Sequence, residues 1–408
     1  MKKITNFFIV FILTNVLFFY SSAPTYGKVV SNKIVLGAAI SLSGKYSLSG
    51  EHTKNGYDFA IKKINEMGGV KVGGKIYQLE IQYYDDESNS LKAIALAGRL
   101  IQHEGIEFLL GTSNLNSSIA VAEEIKKFSV PMIDINTFSK SLLDNRNKFF
   151  FTISGNGEQN LNLVIDLLSK QNQNSSIAII SEQDKFFQDI KSSLLNKIVD
   201  YNFNLILDQV LPGDLNDLKE IIKKTKTLSP DLLIILANAD YNIKVLEELA
   251  NSKTDIPMVT IDECVTDKDF QQENINSIKD YIICSSEWHK SLNYQDDIFV
   301  NTNNYSKLFE DNYNYEPSSK VVKSSAAVLL YKNVLERADS FDQDKIQDAL
   351  RNTDLMTFFG PIRFNKEGSN VYNQNLLVQS QENKNKIIFP EKFANGELIF
   401  PMPKWTER

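Results

Sequence analysis

Two cysteines, Cys264 and Cys284, stand twenty residues apart, and three histidines, His52, His103 and His289, are scattered along the chain. With the acidic run Asp85-Asp86-Glu87 and the pair Gly44-Lys45, these residue types invite a chemical reading first. The histidines have neither HExxH spacing nor a neighbouring Cys or carboxylate pattern, so they read as solvated or hydrogen-bonded structural residues. Six residues separate Gly37 from Gly44-Lys45, where a phosphate loop needs four, and Tyr46 stands where a Mg²⁺-binding hydroxyl is required. Gly68-Gly69 and Gly73-Gly74 flank a turn and lack dinucleotide-fingerprint spacing. The acidic run falls between a strand and a Ser-rich helix start, a place for turn and cap chemistry rather than metal. No Gly-x-Ser-x-Gly elbow occurs, and no nucleophile has a base at a recognisable spacing. The cysteines could close one loop if their Cα atoms approach within ~7 Å, which sequence leaves open. Enzymatic and metal chemistry therefore have no handle, and no cofactor is expected.

The chain that must position any other chemistry has 408 residues, 42% hydrophobic and 23% charged. That excludes wholly disordered and collagen-like classes and suits two or three domains. Forty-four basic against 51 acidic residues give a net charge of −7, so no nucleic-acid partner is expected. Lys2-Lys3, an apolar core over 7–20 and the small residues Ser21-Ser22-Ala23 read as a cleavable secretory signal. The apolar stretch is short for a membrane span. Pro24 disfavours cleavage after Ala23, which shifts the junction to the one between Gly27 and Lys28. No cysteine lies there to carry a lipid anchor. Without 1–27 the chain keeps 42 basic and 51 acidic residues, a net charge of −9. An exported, periplasmic protein is the expectation.

From residue 34 onward, short strand-like runs alternate with segments of helical period. The first series places strands at 34–40, 77–84, 107–110 and 131–135, with helices at 56–67, 91–101 and 118–128. A second series has strands at 149–153, 176–180, 205–210, 231–236, 258–261 and 281–284. Its helices fall at 159–169, 187–199, 215–226 and 243–251. Near-continuous apolar strands followed by helices indicate parallel sheets covered on both faces. Three consecutive helices, 299–313, 318–338 and 343–351, then precede short strands at 361–364 and 376–379 and a Pro-rich tail. Two βα series with late helices that belong to neither suggest an α/β protein of two lobes between which the chain crosses more than once. Ligands in open α/β sheets bind beyond the carboxyl ends of the strands, which makes the loops there the ones to inspect.

The run 34–46, Ile-Val-Leu-Gly-Ala-Ala-Ile-Ser-Leu-Ser-Gly-Lys-Tyr, with Gly50 and Asn55-Gly56-Tyr57, resembles the first strand and helix of type I periplasmic binding proteins. So do Gly68-Gly69, Tyr83-Tyr84-Asp85-Asp86, Leu109-Leu110-Gly111 and Val130-Pro131-Met132-Ile133. The run 357–364, Thr-Phe-Phe-Gly-Pro-Ile-Arg-Phe, with Gly368, resembles the family's closing strand. The likeness spans the mature chain in order and is greatest to the leucine/isoleucine/valine-binding branch that serves ABC importers. It implies two Rossmann-like lobes with mainly parallel sheets, three crossovers and a ligand cleft between the lobes. The implied division is a first lobe over 28–152 and 288–355 and a second over 153–287 and 356–408, with 1–27 the signal.

The resemblance also implies a site. Family members hold an amino acid's carboxylate with hydroxyls and backbone N–H groups of the first lobe, here the loops carrying Ser113, Asn114, Leu115 and Asn116, and Asn136, Thr137 and Phe138. Leu115 stands where a serine is common, and Phe138 where a small or hydroxylated residue is common, which suggests a modified pocket. In the second lobe Phe186 matches a ligand-packing aromatic and Asn238 a contact position. Asp262, or Glu263 if the register slips by one, matches the acid that pairs an ammonium. Trp288 begins a crossing and could wall the site; Ser49 and Tyr46 are weaker candidates.

The expectation is a non-enzymatic, monomeric substrate-binding protein of an ABC transporter. It would take a small polar solute, an amino acid or a related compound, close on it and deliver it to the permease membrane subunits. The alternative is a periplasmic ligand sensor feeding a regulator or sensor kinase.

Overall fold

The computed structural model describes residues 29–30, 32–138, 148–155, 157–211, 217–264, 278–372, 375–382 and 384–408. The expected export signal, 1–27, lies outside them. The first sheet is built from β1 (Val29–Val30), β2 (Lys33–Ile40), β3 (Val70–Val72), β4 (Lys75–Asp85), β5 (Leu109–Leu110), β6 (Met132–Asp134) and β7 (Phe150–Thr152). Its order is β3-β4-β2-β5-β6-β7, with β1 antiparallel on β2 and every pairing from β4 to β7 parallel. Between these strands lie α1 (Ser47–Glu66), α2 (Ser90–Gln102) and α3 (Leu115–Ile125).

The second sheet comprises β8 (Ser176–Ser181), β9 (Asn204–Val210), β10 (Leu232–Leu236), β11 (Met258–Ile261) and β12 (Ile283–Ser286), all parallel in the order β12-β11-β10-β8-β9. Its helices are α4 (Gly157–Gln171), α5 (Lys185–Asp200), α6 (Leu218–Leu228) and α7 (Ala239–Asn251). The alternation of side chains across a strand explains why β10 is apolar throughout. Leu233 and Ile235 join α6 and α7 in one core, while Leu232, Ile234 and Leu236 join α4 and α5 in another. The first sheet is likewise covered on both faces, by α1 on one side and by α2 and α3 on the other.

After β12 the chain makes two short antiparallel strands, β13 (Gln295–Asp296) and β14 (Val300–Asn301), then α8 (Thr302–Tyr313), α9 (Ser319–Ala338) and α10 (Gln343–Arg351). All three helices pack on the first-lobe core. The helix expected over 299–313 begins at Thr302, because Asn301 caps it by accepting from the Asn304 N–H. Antiparallel β15 (Asp354–Thr357) and β16 (Gly360–Arg363) follow, and the chain finishes the second sheet with antiparallel β17 (Leu376–Gln381) and β18 (Lys384–Phe389). Phe358, Phe359, Ile362 and Phe364 bury in the first-lobe core. The third passage between lobes therefore comes after Phe364 rather than near 356, since leaving earlier would strip these rings from their packing. The short strands β3, β13 and β14 span too few residues to show a period.

One contact positions the late helices for function. A Cβ on Gly56 of α1 would lie 2.3 Å from the Val321 carbonyl oxygen of α9, so glycine there lets the two backbones meet. The Ser325 hydroxyl donates to the Gly56 carbonyl at 2.7 Å across the same seam. This seats the first turn of α9 beside the carboxyl ends of the first sheet.

Candidate functional site

The carboxyl ends of both sheets face a cavity of about 640 Å³, lined from the first lobe by the loops after β2, β5 and β6 and by the start of α9. From the second lobe the wall comes from the segments after β8, β10, β11 and β12. This size lies in the range of small-molecule sites.

The loop after β5 is a set of polar groups satisfied by one another. The Ser113 hydroxyl accepts from the Ser41 N–H at 2.9 Å. Asn114 caps α3, its Oδ1 accepting from the Ser117 N–H at 2.9 Å while its amide donates to the Ser41 hydroxyl at 3.1 Å. Asn136 donates to the Thr112 carbonyl at 3.0 Å and to the Ser118 hydroxyl at 2.8 Å. Beneath them Asp134, fully buried, accepts from Ser118 and from the Asn136 N–H, and burial pushes its carboxyl up to about 6. Leu115 and the exposed Asn116 line the cavity at the head of α3.

Two lysines that sequence reasoning did not single out complete this wall. Lys320 and Lys323 lie three residues apart on α9 and so share a face. The Lys320 Nζ donates to the Ser113 carbonyl at 3.1 Å and to the Asn136 Oδ1 at 3.2 Å. Burial holds its pKa below the ordinary lysine value, against the attraction of Glu263 across the cleft. The Lys323 Nζ lies 3.2 Å from Glu287 Oε2, with both side chains buried, and reaches the Thr137 hydroxyl at 3.4 Å. Burial lowers the Lys323 pKa, but Glu287 and Glu263 outweigh it and the net shift is upward. One signal in the sequence marks these lysines. Lys320 is the second residue of α9 and Lys323 the fifth; a cation so near a helix start opposes the dipole, most strongly at Lys320, and calls for compensation.

The second-lobe wall is acidic. Asp262 follows β11 and accepts from the Asn242 amide at 2.8 Å; burial pushes its carboxyl up to about 7, opposed by that hydrogen bond and aided by Glu263. Glu263 also lines the cavity and has no hydrogen bond among the described residues. Asn238 caps α7 and donates to Glu182, whose own carboxyl burial raises. Phe186, at the start of α5, lies on the wall behind its cap Asp184.

Of the residues named from sequence, Ser113, Asn114, Leu115, Asn116, Asn136, Thr137, Phe186, Asn238 and Asp262 line the cavity, as do Tyr46, Ser49 and the fallback Glu263. Phe138 and Trp288 do not. Phe138 turns into the core, edge-on to Phe150 with centroids 5.4 Å apart. Trp288 packs edge-on to Tyr305 and donates its indole N–H to the Phe358 carbonyl at 3.2 Å. Each ring gains more apolar burial in the core than at a wet wall.

Cys264 and Cys284 form a disulfide with Cα atoms 4.8 Å apart, tying the segment after β11 to β12 beside Asp262 and Glu263. Asp85 and Asp86 hold turns: Asp85 accepts from the Leu42 and Glu87 N–H groups, Asp86 from the Ser41 hydroxyl and the Ser88 N–H. His52 lines the cavity, its Nδ1 3.1 Å from the Ser318 hydroxyl and its ring stacked on Tyr315. No helix among the described residues is long and apolar enough to cross a membrane.

Comparison with known proteins agrees with this fold. The family model described as periplasmic binding protein matches residues 33–385. Leu/Ile/Val-binding protein homolog 7 of Brucella suis is 20% identical over 226 residues, 53% of this chain and 55% of that protein, so the match spans about half the length of that relative. The isoleucine-bound substrate binding protein of a branched-chain amino acid transporter from Streptococcus pneumoniae superposes with a TM-score of 0.76 at 17% identity, covering 90% of this chain and 100% of that one. A benzoate-bound solute binding protein from R. palustris gives 0.72 at 18% identity, over 87% of this chain and 95% of that one. With both lobes, their order and the cleft accounted for, the chain belongs to the periplasmic binding protein family, in the type I architecture similar to the leucine/isoleucine/valine-binding branch.

Proposed function

We propose that this protein is the substrate-binding component of an ABC transporter. It captures a small amphoteric solute, an amino acid or a related compound, and presents it to membrane permease subunits. The family is one of solute-binding proteins rather than enzymes, which supports the reading. The observation that carries it is the opposition of charge across one cavity, with Lys320 on the first-lobe wall and Asp262 and Glu263 on the second. A zwitterion bridging the lobes would stabilise the closed form by its differential affinity for it. The relatives point the same way: one is named as a Leu/Ile/Val-binding protein homolog and one was solved with isoleucine.

The test is a thermal-shift screen of amino acids, polyamines, ureas and aromatic acids on the purified mature chain, in which a specific binder raises the midpoint by mass action. Turnover of any binder would replace the receptor reading with an enzymatic one. A stable complex with a regulator or kinase, and none with a permease, would favour the sensor reading.

The Asp262 carboxyl gives this reading a pH signature. With its pKa at about 7, a ligand ammonium favours the ionised form and must displace a proton below that pH. Affinity for an ammonium-bearing ligand is therefore expected to rise as pH increases through about 7. Calorimetry in two buffers of different ionisation enthalpy should detect the released proton. Asp262→Asn should abolish the pH slope, and Asp262→Ala should weaken binding at least tenfold, roughly 1.4 kcal/mol. Stability runs the other way. Between the unfolded value, about 3.9, and about 7 the folded chain holds the extra proton, so this group's contribution falls as pH rises across that window.

A further inference from the structure

Two ammonium groups from one helix face reach the same cleft, and the described residues supply a counter-ion to only one of them. Lys323 has Glu287 at 3.2 Å. Lys320 has two neutral acceptors, the Ser113 carbonyl and the Asn136 amide oxygen, and no carboxylate within ion-pair distance among the described residues. The charges around it are Lys323 one turn along α9, Asp134 beneath the loop and Glu263 on the far wall. An ammonium carries three donors, so one N–H of Lys320 is left for the cavity that this residue lines.

Of the groups that the family resemblance nominated for the anion, several are already bonded to one another, and none, the exposed Asn116 included, carries a positive charge. Ser113 Oγ accepts from the Ser41 N–H, the Asn114 amide caps α3 and donates to the Ser41 hydroxyl, both donors of Asn136 are spent, and Thr137 Oγ1 accepts from Lys323. Lys320 is half-buried; a charge partly withdrawn from water without a counter-ion is costly, and a partner of opposite sign recovers part of that cost. We propose that Lys320 is the anion anchor of the cleft and takes the ligand's carboxylate directly, making a free carboxylate obligatory for binding. The inference rests on the receptor reading above and adds the ligand's anionic group and the residue that selects it. A doubly charged anion such as a phosphate monoester is disfavoured, because Asp262, Glu263 and Glu287 line the same cavity as Lys320. A monocarboxylate extended toward Glu263 places its negative end on Lys320 and leaves a cationic end for the acids opposite.

The experiment uses the full mature chain and matched probes, L-leucine against L-leucinamide and benzoate against benzamide. Thermal shift and calorimetry are run on the wild type, Lys320→Met and Lys320→Arg. The expected result is that at least one free acid binds and its amide binds about a hundredfold more weakly. Lys320→Met should lose about a hundredfold for the acid and discriminate poorly between acid and amide, while Lys320→Arg retains the discrimination. The midpoint without ligand controls for folding of each variant. An amide that binds as well as its acid, or an acid bound equally by Lys320→Met, overturns the Lys320 assignment and leaves the receptor reading standing. If none of the four probes and no compound of the wider screen raises the midpoint, both readings fall together.

Discussion

Glu287→Ala is expected to lower the unfolding free energy by about 3–5 kcal/mol, the cost of leaving one member of a buried ion pair without its partner. The side chain is 3% exposed and its loss strands the Lys323 ammonium, itself 5% exposed. Glu287 also accepts from the Ser154 hydroxyl at 3.0 Å and from the Gly155 N–H at 3.2 Å, so the same truncation opens three partners at once. These partners come from different parts of the chain: Ser154 and Gly155 follow β7, Glu287 follows β12, and Lys323 lies on α9. The carboxylate thus ties the segments that pass between the lobes. Urea unfolding should show a lower midpoint at an unchanged slope. Removing the pair together, Glu287→Leu with Lys323→Met, should recover most of the loss, because no buried charge is then left over. A single variant as stable as the wild type would show that the pair is solvated in solution.

The second large effect is expected from the disulfide. Cys264→Ala with Cys284→Ala, or reduction with dithiothreitol, should cost roughly 3 kcal/mol on the chain-entropy account for a sequence separation of 20. The functional consequence is larger than that of a distant staple. Cys264 directly follows Asp262 and Glu263, and Cys284 sits inside β12, paired with Ile261 on one side and Val378 on the other. Cutting the bridge frees the segment that presents both acids, so ligand affinity should fall together with the midpoint. Unchanged midpoint and affinity after full reduction would refute both claims. A fall in stability alone would separate the staple from the site.

How much of this was legible beforehand differs by scale. The βα alternation was readable wherever a strand reached four or five residues. The run 231–236 announced a doubly covered strand, and β10 is one, with alternate residues feeding two cores. The loops at strand ends could also be located beforehand, and Ser113, Asn136, Asn238 and Asp262 from them all line the cavity. Phe138 and Trp288 misled because residue type and loop position say nothing about which way a ring turns, and the aromatic cores behind them offered the better burial. The third crossing was placed too early for the same reason: Phe358, Phe359 and Phe364 hold their segment to the first lobe through contacts that no local pattern reveals.

The sequence by itself determined the βα order and the family resemblance. Each of these depends on residue types within one turn, one strand or one fixed spacing. Only the tertiary structure decided that the first turn of α9 stands in the cleft and that Cys264 meets Cys284. It also decided that, among the described residues, Lys323 has a counter-ion while Lys320 has none within ion-pair distance. Lys320 meets Ser113 and Asn136 across 207 and 184 residues of chain. Charge compensation at that range is set by how helices seat on sheets, through contacts such as Gly56 against Val321, and it leaves no periodic trace in the residues that take part.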